Sequence, residues 1–151
     1  MSGKSVTRWE RYLTKEIGIE FKACLYFFAL LFYYCCYRAL CGIYDASILH
    51  MAEMIAATYI IGYVQVYLLG NFDEAEKFGL KEALSTLLCT VLYTGASYWL
   101  DWFDGKKAVI LGFAAYIAVL YVCVYLLYRI RRKIDEKILN EELKLFKARE
   151  K

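Results

Sequence analysis

His50 and Glu53 stand three residues apart inside an apolar stretch, residues 48–69, and are the costliest side chains to place there. On a helix that spacing puts an imidazole and a carboxylate on one face, together with Ala46, Ala57, Ile60 and Val64. The chemistry open to such a pair is proton shuttling. At about 1.5 Å per residue, Glu53 falls on the order of 10 Å inside the stretch. An ionisable group that deep in a membrane faces protein or a water-filled cavity and is a functional candidate by default. The competing reading is structural. Arg38, near the end of the preceding apolar run, lies at a similar level and offers Glu53 an ion pair.

Little else in the chain has catalytic spacing. There is no GxSxG, HExxH, phosphate loop or paired-carboxylate set, so we expect no enzyme, no catalytic residue and no cofactor. The six cysteines carry no CxxC or Cys/His pattern of the zinc type, which argues against a metal site. Cys35 and Cys36 are adjacent and point about 100° apart on a helix. Cys24, Cys35, Cys36, Cys89 and Cys123 fall inside apolar runs, where cysteine packs as a small hydrophobe, and Cys41 sits at a run's end. Thr86, Thr90, Thr94 and Ser97 form a hydroxyl stripe suited to close helix approach and interhelical hydrogen bonds.

The elements that must position these groups are set by hydrophobic blocks. The chain is 61% hydrophobic and 18% aromatic, with no proline in 151 residues. Soluble domains are only about half apolar. The excess here lies in runs long enough for a bilayer core of about 30 Å. Four runs qualify: residues 23–40, 46–69, 83–100 and 108–128. The expected fold is therefore all-α, a polytopic four-helix transmembrane bundle spanning residues 23–128. Residues 98–103 hold Tyr98, Trp99, Trp102 and Phe103, an aromatic girdle for the outer interface. Ala108, Gly112 and Ala115 give the last run a small-residue face, a candidate contact with another subunit.

Flanking this bundle, residues 1–22 lack the apolar run and small-residue site of a cleavable signal. Val6, Trp9, Leu13, Ile17 and Phe21 recur there at three- and four-residue steps among basic residues, the pattern of an interfacial amphipathic helix or of one packed on protein. The connector at residues 71–82 is acidic, with Asp73, Glu74 and Glu76 as candidate contacts for a basic partner. Residues 129–151 contain neither glycine nor proline and read as a helical tail. Ile130, Ile134 and Ile138 mark one apolar edge and Leu139, Leu143 and Phe146 another, offset from it and so not a clean coiled-coil seam. Arg131 and Arg132 join Leu139, Leu143 and Phe146 as tail candidates for partner binding.

Charge sets the expected topology. Sixteen lysines and arginines fall on the amino end, the middle connector and the tail, against Arg38, Lys106 and Lys107 on the other side. By the positive-inside rule both termini face the cytoplasm, in a multi-pass protein of a bacterial inner membrane.

The layout resembles the small four-helix membrane proteins of Firmicutes encoded beside LytTR-type DNA-binding regulators. The resemblance rests on the span lengths, the aromatic residues 98–103, the tyrosine-rich last run, and the basic exit followed by Asn140 and Leu143. It implies a non-enzymatic membrane regulator that holds a cytoplasmic partner, with no direct contact to nucleic acid. Two other readings stay open. One is a small proton-coupled multidrug-type transporter built on Glu53. The other is an accessory subunit, or a homo-oligomer, assembled through the small-residue faces.

Overall fold

The computed structural model describes residues 5–72 and 75–151. Among these the chain is helical, with four helices and no strand. Helix α1 spans Arg8–Leu40, α2 Ile48–Tyr63, α3 Leu80–Trp99 and α4 Lys107–Glu150. A five-residue π-helical turn, Val64–Leu68, extends α2. Three helices are long and apolar enough to cross a membrane: α1, α2 with its π-turn, and α4. Leu40, Ile48, Leu68, Leu80 and Trp99 are each more than three-quarters exposed, an apolar surface that water does not tolerate and lipid does. α3 is twenty residues long, but Lys81, Glu82 and its hydroxyls lower its apolarity.

Two helices run past their apolar runs, the last as its glycine- and proline-free tail predicts. The expected boundary at residue 22 falls in the middle of α1, which Thr7 and Glu10 start with a reciprocal capping box. Likewise α4 passes from bundle to tail without a break. No proline or helix-ending glycine intervenes in either place, so the helix simply continues.

The core is a set of three- and four-residue stripes. α1 buries Ile19, Lys22, Ala23, Tyr26, Leu30, Tyr34 and Tyr37. α2 and its π-turn contribute Met54, Thr58, Ile61, Gly62 and Gln65. From α3 come Ser85, Cys89, Thr90, Tyr93 and Ser97, and from α4 Ile110, Phe113, Ile117, Tyr121, Val124 and Tyr125. Tyrosine, not leucine, fills the centre. Tyr26 packs on Tyr121 and Tyr93 with ring centroids 5.0 and 6.2 Å apart. Tyrosine rings bring the area of a large hydrophobe and need a partner for the hydroxyl. Tyr33 meets that need by donating to the Val109 carbonyl at 2.9 Å, and Tyr116 by donating to the Ala29 carbonyl at 3.0 Å. These bonds tie α1 to α4.

Gly112 serves this contact. A Cβ added there would lie 2.8 Å from the Tyr33 hydroxyl. The bare backbone is what lets that phenol reach α4. The hydroxyl stripe of α3 is also self-contained: Thr86, Thr90 and Thr94 donate to the carbonyls of Glu82, Thr86 and Thr90 at 2.7–2.9 Å, and Ser97 to that of Thr94 at 2.7 Å. Back-bonding to the preceding turn satisfies them within the helix, in place of the expected interhelical bonds.

Candidate functional site

The end of the bundle opposite the termini holds Glu53. Ser47 caps α2, its hydroxyl accepting from the His50 amide at 3.4 Å, and two turns later the carboxylate points back along the same face. Glu53 Oε2 lies 2.9 Å from His50 Nδ1 and 3.0 Å from Trp102 Nε1, which donates to it. The side chains of His50 and Glu53 are 24% and 22% exposed, so this carboxylate is half-sheltered and already satisfied by two nitrogens. The expected pair with Arg38 does not form. Arg38, in the last turn of α1, instead donates from Nε to the Asp45 carbonyl at 3.1 Å and rests over the Tyr34 ring, bracing the α1–α2 connection.

Trp102 and Phe103 depart from the expected girdle as well. Tyr98 and Trp99 are exposed, yet Trp102 and Phe103 are buried to 1% and 0%. Asp101 and Asp104 both adopt positive φ, and this tight turn swings the next rings inward. Phe103 then packs edge-on against Tyr33 and Tyr37, and Tyr37 donates to Asp104 Oδ2 at 2.8 Å. The turn plugs the bundle end. Lys106, over the Tyr37 ring and 3.4 Å from Cys41 Sγ, is held above the ordinary lysine range, first by the Tyr37 hydroxyl and then by Cys41.

At the termini-bearing end lies a polar knot that sequence reasoning missed. Lys22 is only 2% exposed; its ammonium donates to Asn71 Oδ1 and sits over the Tyr128 ring. Gln65, in the π-turn, is 1% exposed and accepts from the Tyr121 hydroxyl at 3.4 Å, while its Nε2 has no hydrogen-bond partner among the described residues. Glu16 accepts from Tyr63 at 2.7 Å and from Tyr67 at 3.2 Å. A signal existed for Lys22: it stands on the stripe that runs through Ile19 and Tyr26.

Beyond this knot the chain presents charge. Glu76 and Lys77 of the connector, with Arg129, Arg132, Lys133 and Glu136 of α4, line an open cleft of about 250 Å³. Asp73 and Glu74, the other acidic candidates, lie outside the described residues. Arg131 does not line that cleft; it lines a groove with Phe21 and Leu25 of α1 and another with Arg132 and Asp135. The tail then runs free. Past Tyr128 it extends on the order of 33 Å at 1.5 Å per residue. Ile130, Ile134, Ile138, Leu139, Leu143 and Phe146 are each about half exposed or more. At 100° per residue the isoleucine edge and the Leu139–Leu143–Phe146 edge lie roughly 140° apart. One apolar edge serves the half of the tail near the bundle and the other the distal half.

Among the described residues no cluster of three or more His, Cys, Asp or Glu is placed to hold a metal ion. The cysteines are free, and only Cys89 is buried. Compared with protein-family models, curated proteins and solved structures, the chain matches none.

Proposed function

We propose that this protein is a non-enzymatic regulator that crosses the bacterial inner membrane four times, with both termini in the cytoplasm, and holds a cytoplasmic protein through the tail of α4. The observation that carries the reading is that α4 leaves the bundle as one unbroken helix with its apolar side chains uncovered. Fully solvated, such a helix would expose two edges of large aliphatic residues at a cost that a bound partner removes. The charge asymmetry supports the orientation, since the tail, the connector and residues 1–22 carry sixteen of the nineteen lysines and arginines. α3, the least apolar of the four, spans by packing its hydroxyl face inward and bonding those hydroxyls to its own backbone. A DNA-binding regulator of the LytTR type is the partner that the sequence resemblance favours.

The geometry around Glu53 supports a structural role for it. Two nitrogens already hold the carboxylate, and the rings of Trp102, Phe103 and Phe113 fill the bundle beside it. Proton-coupled transport would need that carboxylate to exchange partners during a cycle. The test is affinity purification of the full chain from native membranes in mild detergent. A stoichiometric soluble protein that disappears when residues 135–151 are removed supports the regulator. A proton-dependent flux abolished by Glu53→Gln, with no partner retained, would overturn it in favour of transport.

A further inference from the structure

The groove between α1 and α4 at the termini-bearing end is lined by Phe21, Leu25, Val124, Leu127, Tyr128 and Arg131, and holds about 210 Å³. Its depth is fixed by landmarks on the same helix. Tyr33 reaches α4 at Val109 near the opposite end, and from there to Leu127 the helix rises about 27 Å, close to the thickness of a bilayer core. Val124 and Leu127 therefore sit at the inner edge of the hydrocarbon, while Arg131 stands about 6 Å beyond, at the level of the headgroups. Phe21 and Leu127 are each about two-thirds exposed along the sides of this groove.

Arg131 forms no hydrogen bond or ion pair among the described residues, although Asp135 lies one turn further along α4. Lys22 is committed to Asn71 and the Tyr128 ring. An apolar slot at chain depth with an uncommitted guanidinium at its mouth matches one chemistry. An acyl chain fits the slot, and an anionic phosphate fits the planar fork of arginine donors. We propose that this groove is a binding site for an anionic phospholipid, its acyl chain against Phe21, Leu25 and Leu127 and its phosphate on Arg131. The site rests on α1 and α4 lying in the membrane and not on the identity of any protein partner.

Native mass spectrometry of the full chain in detergent, with dioleoyl phosphatidylglycerol or dioleoyl phosphatidylcholine added, reads this directly. Wild-type protein is expected to retain phosphatidylglycerol in preference. Arg131→Gln should lower its retention roughly fivefold, the worth of one cation at an anionic surface, and leave phosphatidylcholine unchanged. Leu127→Trp, which fills the slot, should lower both lipids, and Arg149→Gln, the same charge change at the far end of the tail, neither. Arg131→Lys keeps the charge without the fork and should fall between wild type and Arg131→Gln. Circular dichroism confirms that each variant is folded. The proposal is overturned if wild type shows no preference for phosphatidylglycerol, or if Arg149→Gln weakens its retention as much as Arg131→Gln does. Unaltered retention in Leu127→Trp would overturn it too.

Discussion

The indole Nε1 of Trp102 donates to Glu53 Oε2 at 3.0 Å, and through this bond the α3–α4 turn is fastened to the second turn of α2. His50 approaches the same oxygen from the other side at 2.9 Å. Two segments far apart in sequence thus meet on one carboxylate oxygen, in surroundings where hydrogen bonds to charge are strong and unmet ones costly.

Removing the indole donor should therefore be felt. Trp102→Phe keeps a buried ring but deletes the N–H, and we expect a loss of about 1.5–3 kcal/mol, the range for a hydrogen bond to a charged group. Thermal unfolding in detergent, followed by far-ultraviolet circular dichroism, measures it. Glu53→Gln keeps an acceptor and should cost less than Trp102→Phe. A larger loss for Glu53→Gln would show that the negative charge, and not the bond to Trp102, matters most there.

Gly112→Ala should push the Tyr33 hydroxyl off the Val109 carbonyl, because the new methyl would lie 2.8 Å from it. The lost bond is worth about 1 kcal/mol. Alanine's better helix propensity returns up to about 1 kcal/mol, so the alanine variant should sit near wild type. Gly112→Ala combined with Tyr33→Phe has no phenol to displace, and should be more stable than Tyr33→Phe alone by that propensity gain. Equal effects of Gly112→Ala in the two backgrounds would show that the phenol does not need the bare backbone.

Asn71 accepts from Lys22 and adopts a φ of +56°, following Gly70 at +69°. Asn71→Gly should preserve this turn and remove one partner of a buried ammonium, for a loss of about 1–3 kcal/mol. Asn71→Ala should be worse by a further 1 kcal/mol or so, because alanine resists the left-handed backbone that glycine accepts. Paired unfolding curves compare the two. An alanine variant as stable as the glycine one would remove the backbone part of the explanation.

Gln65 offers a prediction of the opposite sign. Its Nε2 is buried without a partner among the described residues, a deficit of about 1–3 kcal/mol, and its contact with Tyr121 is long at 3.4 Å. Gln65→Met, similar in shape, should leave stability unchanged or raise it. If instead stability falls by several kcal/mol, the amide has a partner that the packing does not reveal.

The helices were legible from their apolar runs: each of the four runs falls on a helix, three of these are long and apolar enough to cross a membrane, and α1 and α4 continue well past the runs that marked them. What periodicity could not supply was direction within the turns. Trp102 and Phe103 looked like interface residues in a run of four aromatics. Positive φ at Asp101 and Asp104 turns them inward, and a sequence pattern does not register a single dihedral. Arg38 and Glu53 stood at matching depth, but depth says nothing of azimuth, and each found a nearer partner. Lys22 was hidden by its type: among basic flanking residues it read as surface, although its register with Ile19 and Tyr26 placed it on the buried stripe. Gly112 was recognised as a close-approach residue, but its contact with the Tyr33 hydroxyl was not foreseen, since small residues serve contacts within a bundle as readily as between bundles.

Site-specific photo-crosslinking from the tail in intact cells tests the central claim most directly. A photoreactive residue at 139, 143 or 146 should yield one discrete adduct with a soluble protein, while the same probe at Leu87, on the exposed face of α3, should yield none with it. Failure of all three tail positions to give a soluble-protein adduct, or the same adduct from Leu87, would contradict the account.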